Sequence, residues 1–181
     1  MKIVYYHNYK TGESIPVYVD EGAIGSISYE HLRVHNGEMF RFCYYTTGIA
    51  GSGTVILQWT TGTKSVHAVS LFSASGQANI KLYEGVTSTG GTTVPVYNLN
   101  RPSILAALTA IKHTPTVSNY GTTILRDEFV PGGSAGGKSG SSSREGTEVI
   151  LKPSTKYAIL ITNTGSTAID LSYTGDFYEE D

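Results

Sequence analysis

Apolar and polar residues alternate along most of this chain. Tyr157, Ile159 and Ile161 share one parity, and Ile169, Leu171 and Tyr173 alternate with Ala168, Asp170 and Ser172. Side chains on a strand point to opposite faces with a period of two, so each run predicts a strand with a buried face. Asn163, Gly165 and Ser166 lie between the runs and suit a reversal of the chain. Lys152-Pro153-Ser154-Thr155 marks another turn just before them.

The same pattern predicts strands over 2–9, 15–20, 27–35, 39–47, 54–60, 64–73, 77–84 and 122–130. Asn36-Gly37 reads as a hairpin turn between two of these. Residues 85–93 and 131–146 are Gly-rich and read as loops. Residues 104–113 are ambiguous. Their Leu and Ala content would suit a helix, but Pro102 and Pro115 limit the run to strand length. We read it as a strand buried on both faces. The expected fold is all-β: an antiparallel β-sandwich or jelly roll of about eight to ten strands. A parallel α/β sheet needs longer, helical crossovers than these Gly-rich intervals allow.

Residues 1–25 differ from the remainder. Tyr5, Tyr6, Tyr9 and Tyr18 crowd them, and they read as an N-terminal arm or outer hairpin beside a domain spanning 26–181. Tyrosine gives a rigid, amphipathic contact, so these four are candidate partner-binding residues.

Composition narrows the function. A chain of 181 residues buries roughly 70% of its unfolded surface, enough for a core without disulfide staples. A net charge of −2 lacks the basic field that general nucleic-acid binding needs. The apolar runs fall short of the ~18–20 residues that span a bilayer, and the start of the chain does not read as a secretory leader. Synthesis in a reducing cytoplasm is expected. The one cysteine, Cys43, excludes an intrachain disulfide and reads as a packed thiol in the apolar 39–47 strand.

Several patterns invite a chemical reading. Gly132 to Ser139 matches the phosphate-loop spacing G-x-x-x-x-G-K-S. That loop must open a helix, however, and the Gly-Ser-Ser-Ser that follows is poor helix material. A surface loop is the better reading. His31 and His35 share a face on a helix or a strand, but on the expected strand Arg33 stands between them and opposes a bound cation. Trp59 alternates with Leu57 and Val55 and reads as core rather than as a sugar platform. No Ser/His/Asp order or carboxylate pair stands out. The acidic run 176–181 reads as a solvated terminus able to meet a basic partner.

The chain also resembles a known family. The run from Ile27 to Phe40, Ile-Ser-Tyr-Glu-His-Leu-Arg-Val-His-Asn-Gly-Glu-Met-Phe, is similar to a segment of the jelly-roll head decoration proteins of tailed bacteriophages. Similarity continues over 76–84, 98–103, 113–116, 129–133, 146–157, 161–163 and 176–178, in order. The resemblance implies a non-enzymatic virion protein on the outside of a capsid. It implies the major capsid protein as partner and self-association as a trimer or dimer, with no catalytic residues and no cofactor. Two rivals follow from the residues. A carbohydrate-binding jelly roll would use surface tyrosines, and a glycosidase would need two carboxylates about 5–10 Å apart.

Overall fold

The computed structural model describes residues 2–7, 14–20, 23–24, 29–131 and 148–181. β1 (Lys2–His7), β2 (Ser14–Asp20) and β3 (Ala23–Ile24) form a three-stranded antiparallel sheet of their own. A short helix, α1 (Tyr29–His35), follows. Next come β4 (Met39–Ile49), β5 (Thr54–Thr60), β6 (Ser65–Ala74) and β7 (Ala78–Glu84). Short strands follow: β8 (Thr87–Thr89), β9 (Thr92–Val94), β10 (Tyr97–Asn98), β11 (Ala110–His113) and β12 (Thr116–Asn119). β13 (Thr123–Val130), β14 (Val149–Leu151), β15 (Lys156–Asn163) and β16 (Ile169–Glu180) complete the order.

Two antiparallel sheets pack as a sandwich, as the alternation predicts. One has the order β10-β4-β16-β6-β14 and the other β13-β7-β15-β5-β11-β9. The pairing is nested. β4 pairs with β16, β5 with β15, β6 with β14 and β7 with β13. Consecutive long strands from β4 to β7 therefore alternate between layers. β8 and β12 make a separate two-stranded ribbon, where 85–93 read as loop.

Aromatic rings fill the space between the layers. Trp59 of β5 meets Phe42 of β4 edge-on at 5.1 Å and Phe177 of β16 at 5.5 Å. Phe42 stacks on Tyr173 at 5.7 Å, and Phe40 lies 5.5 Å from Phe177. All five rings are buried, so Trp59 is core, as its alternation indicates. Gly175 makes this approach possible. A Cβ on it would lie 2.3 Å from Phe42 Cε1 and 3.0 Å from Trp59 Cζ2. Glycine inside a strand commonly marks such close packing.

Four expectations need correction. Residues 29–35 form a helix, not a strand (27 and 28 lie outside the described residues). Glu30 in the first turn and Arg33 and His35 in the last turn complement the helix dipole. Asn36-Gly37 is not a hairpin turn but the helix C-terminus. Gly37 N–H donates to Val34 O at 3.0 Å and Glu38 N–H to Arg33 O at 2.9 Å, the paired bonds of a Schellman motif. Gly37 has φ +72°, the left-handed backbone that both turn and cap demand of glycine.

Second, of the 104–113 run only Ala110–His113 is a strand. Residues 104–108 lie at the surface, for reasons given below. Third, Cys43 is exposed, because Phe40 and Phe42 take the inward parity of β4 and turn their neighbour outward. Fourth, the acidic run up to Glu180 lies in β16, and its carboxylates, with that of Asp181, bond to groups of the same chain.

Two outcomes test this packing. Gly175→Ala should destabilise the fold by about 1–3 kcal/mol through overpacking, measured by chemical denaturation; an unchanged midpoint would contradict the close approach. Burial pushes the phenols of Tyr157, Tyr173 and Tyr178 up to about 12 from an ordinary 10.0. Groups raised in the folded state contribute stability that is complete below pH 10 and lost as pH rises towards 12. The phenolate signals of these three residues, resolved by nuclear magnetic resonance, should therefore appear together with unfolding in that window, not before it.

Candidate interaction surface

The last strand organises one end of the sandwich. Along β16, Ile169, Leu171, Tyr173, Gly175 and Phe177 take the inward parity, and Asp170, Ser172, Thr174 and Asp176 the outward one. Tyr178 continues the outward parity yet is buried, because α1 lies over it. Tyr29 meets the Tyr178 ring edge-on at 5.8 Å, and the Arg33 guanidinium sits 5.3 Å from its centre. His67 of β6 stacks on the same ring at 4.5 Å.

Charge fixes this arrangement. Arg33 Nη1 donates to Glu38 Oε2 at 2.6 Å and Nη2 to Glu180 Oε1 at 2.7 Å. Tyr29 OH also donates to Glu180 Oε1, at 3.0 Å. Burial alone would make the Arg33 guanidinium easier to deprotonate. Its bonds to Glu38 and Tyr29 outweigh that and hold it above its usual value. Further along, Arg41 grips Asp176 through two bonds of 2.6 and 2.7 Å, a bidentate geometry that fixes orientation as well as distance. Lys64 pairs with Asp181 at 3.0 Å.

Glu179 does something different. Its carboxylate accepts from Leu108 N–H at 3.0 Å, from Thr109 N–H at 2.7 Å and from the Thr109 hydroxyl at 2.7 Å. Asn98 donates through Nδ2 to Gly37 O at 2.6 Å and to Leu105 O at 3.1 Å. Asn100 Nδ2 donates to His35 O at 2.8 Å. Side chains thus take backbone groups of 104–109 that a neighbouring strand would otherwise pair. The segment stays out of the sheet and crosses its end.

The result is an apolar ledge. Ile104 is 98% exposed, Leu105 52% and Leu108 53%. Tyr97, Tyr29 and Leu32 are exposed at the same end. A groove of ≈ 330 Å³ runs beneath, lined by Phe40, Val96, Tyr97, Arg101 and Leu105 among others. Single exposed apolar residues are ordinary, whereas a grouped set is the kind of feature that contact surfaces present.

A second apolar group, Ile124, Leu125, Phe129 and Ile150, lies on β13 and β14, the strands at the edges of the two sheets. Here the edge is guarded. The register shifts between Ile124 and Arg126, and Arg126 and Glu128 form an ion pair across from the inward-facing Leu82 and Ile80. Bulges and inward charges discourage edge-to-edge pairing.

The sequence-predicted residues fall as follows. Tyr5 and Tyr6 lie in β1, paired with Pro16 and Ile15, and Tyr18 lies in β2 opposite Ile3. Tyr9 and the phosphate-loop match at 132–139 lie outside the described residues. Among the described residues, no group of three His, Cys, Asp or Glu side chains is placed to hold a metal ion. The cavity between the sheets, lined by Trp59, Ser70, Arg126 and Tyr173 among others, has a volume of ≈ 30 Å³, room for a water-sized molecule only.

Compared with family models, curated proteins and solved structures, the chain matches none.

The ledge was missed in the sequence because an apolar run carries no mark of whether it is covered. Its one available signal was that the run suited a helix by composition and a strand by alternation, and so was claimed firmly by neither. Replacing Glu179 with Ala should release it. Bonds to a charged acceptor are worth about 1.5–3 kcal/mol, and a loss of that order is expected here. Amide hydrogen exchange at Leu108 and Thr109 should accelerate while the β15 amides stay protected; unchanged exchange would refute the role of Glu179.

Proposed function

We propose that this protein is a non-enzymatic virion component that decorates and stabilises the outside of a tailed-phage capsid. The observation that carries this reading is the apolar ledge. A protein that holds Leu108 at the surface through backbone bonds accepted by Glu179, and Leu105 through a bond from Asn98, with Ile104 almost fully exposed beside them, maintains a surface for another protein to cover. The partner on this reading is the major capsid protein, and neighbouring copies of the chain associate as a closed symmetric oligomer, a trimer or a dimer.

The strand order supports the fold expected of such a module. Nested pairing of β4–β16, β5–β15, β6–β14 and β7–β13, shared between two layers, is consistent with a jelly roll and favours that reading of the sandwich. A two-layered sandwich with an aromatic core suits repeated tiling. Each shell contact can be modest, because many copies act together and linked contacts multiply. The tyrosines of the N-terminal sheet supply additional contact on this reading.

The test is binding to purified shells produced by the genome that encodes this chain. Burying a Leu or Ile side chain contributes about 1.5–3 kcal/mol. Ile104→Asp combined with Leu108→Asp should therefore lower occupancy by more than about tenfold in co-sedimentation. Unaltered thermal unfolding of the variant would show that the sandwich is intact. Full occupancy by this variant would refute the ledge as the contact. Absence of the natural chain from the particles would refute the whole reading.

A further inference from the structure

The helical form of residues 29–35 reopens a question that a strand would have closed. On a strand, Arg33 would stand between His31 and His35. On α1 it is two residues on from His31, roughly 200° around the axis. There it is held by Glu38 and Glu180. His31 and His35, four residues apart, come onto one exposed face with their ring centres 4.6 Å apart.

The two rings converge through the atoms that bind metals. His31 Nε2 and His35 Nε2 lie 2.8 Å apart and share a hydrogen bond, whose proton an incoming ion would displace. A divalent metal binds imidazole nitrogen at about 2.0–2.1 Å, so two cis ligands at roughly 90° lie about 2.8–3.0 Å apart. A tetrahedral ion would ask for about 3.3–3.4 Å with the same bond lengths. The observed spacing matches the square-planar or octahedral cis arrangement of copper(II) or nickel(II) more closely than that of zinc.

We propose that His31 and His35 form a bidentate chelate site for a copper(II)- or nickel(II)-class ion on the surface of α1. The site sits on a fixed element. The Schellman bonds of Gly37 and Glu38 close the helix, Asn100 binds the His35 carbonyl, and Tyr29 and Arg33 clamp the opposite face onto Tyr178. The ligands are therefore preorganised before an ion arrives. Two protein nitrogens leave the remaining coordination positions to water. The proposal is independent of the capsid reading, since it rests on α1 alone.

Titrating the full-length chain with copper(II) or nickel(II) by calorimetry should show one ion bound per chain. His31→Ala and His35→Ala should each weaken binding by about 100-fold, the advantage of two linked ligands over one. His7→Ala, His67→Ala and His113→Ala should leave it unchanged. Both substitutions in α1 are at exposed positions, and circular dichroism and melting would confirm the fold. In nuclear magnetic resonance, copper(II) should broaden the His31 and His35 imidazole signals first and together. Binding that survives both α1 variants, or broadening that begins at another histidine, would overturn the proposal.

Discussion

The frame depends on how β16 uses its two faces. It is flanked on both sides, by β4 and by β6, and it carries Tyr173, Gly175 and Phe177 into the space between the sheets. Gly175 lets the rings of Phe42 and Trp59 approach the strand. The same strand then delivers Asp176, Glu179 and Glu180 to Arg41, the 104–109 segment and α1. Core packing and the shape of one end of the molecule are thus both set by a single strand. An aromatic interior and a charged outer clasp are joined by a few covalent steps, so distortion of one reaches the other.

Much of this was legible in the sequence, because period-two alternation responds directly to having one wet and one dry face. The strands 54–60, 77–84 and 122–130 are found within a residue of where the pattern puts them. What was illegible depended on distant partners. A four-residue spacing, as between His31 and His35, shares a face in both helix and strand, so the pair could not choose between them. Asn36-Gly37 satisfies a hairpin and a helix cap for the same reason, the positive φ of the glycine. Only contacts from Tyr178 and Glu180, about 150 residues away in sequence, decide for the helix. Cys43 is a different case: the rule that buried Phe42 also placed its neighbour outside.

The acidic end of the chain shows why charge runs mislead. Read in order, Asp176 to Asp181 look like a solvated tail. In the fold, each of its four carboxylates finds a separate partner: Arg41, the Leu108 and Thr109 amides, Arg33 and Lys64. Exposed ion pairs contribute little individually. Glu179 matters more, since it binds backbone groups and thereby decides where an apolar segment lies. An apolar segment kept out of the core by polar bonds is costly in water unless something covers it, and the proposed assembly rests on that cost.

The most direct measurement is the position of the molecule in an intact particle, by cryo-electron microscopy. The account predicts the sandwich on the outer surface of the shell, with the end bearing Ile104, Leu105 and Leu108 against the capsid or a neighbouring copy. A sandwich bound with that end facing open solvent, or particles that lack the chain altogether, would contradict it.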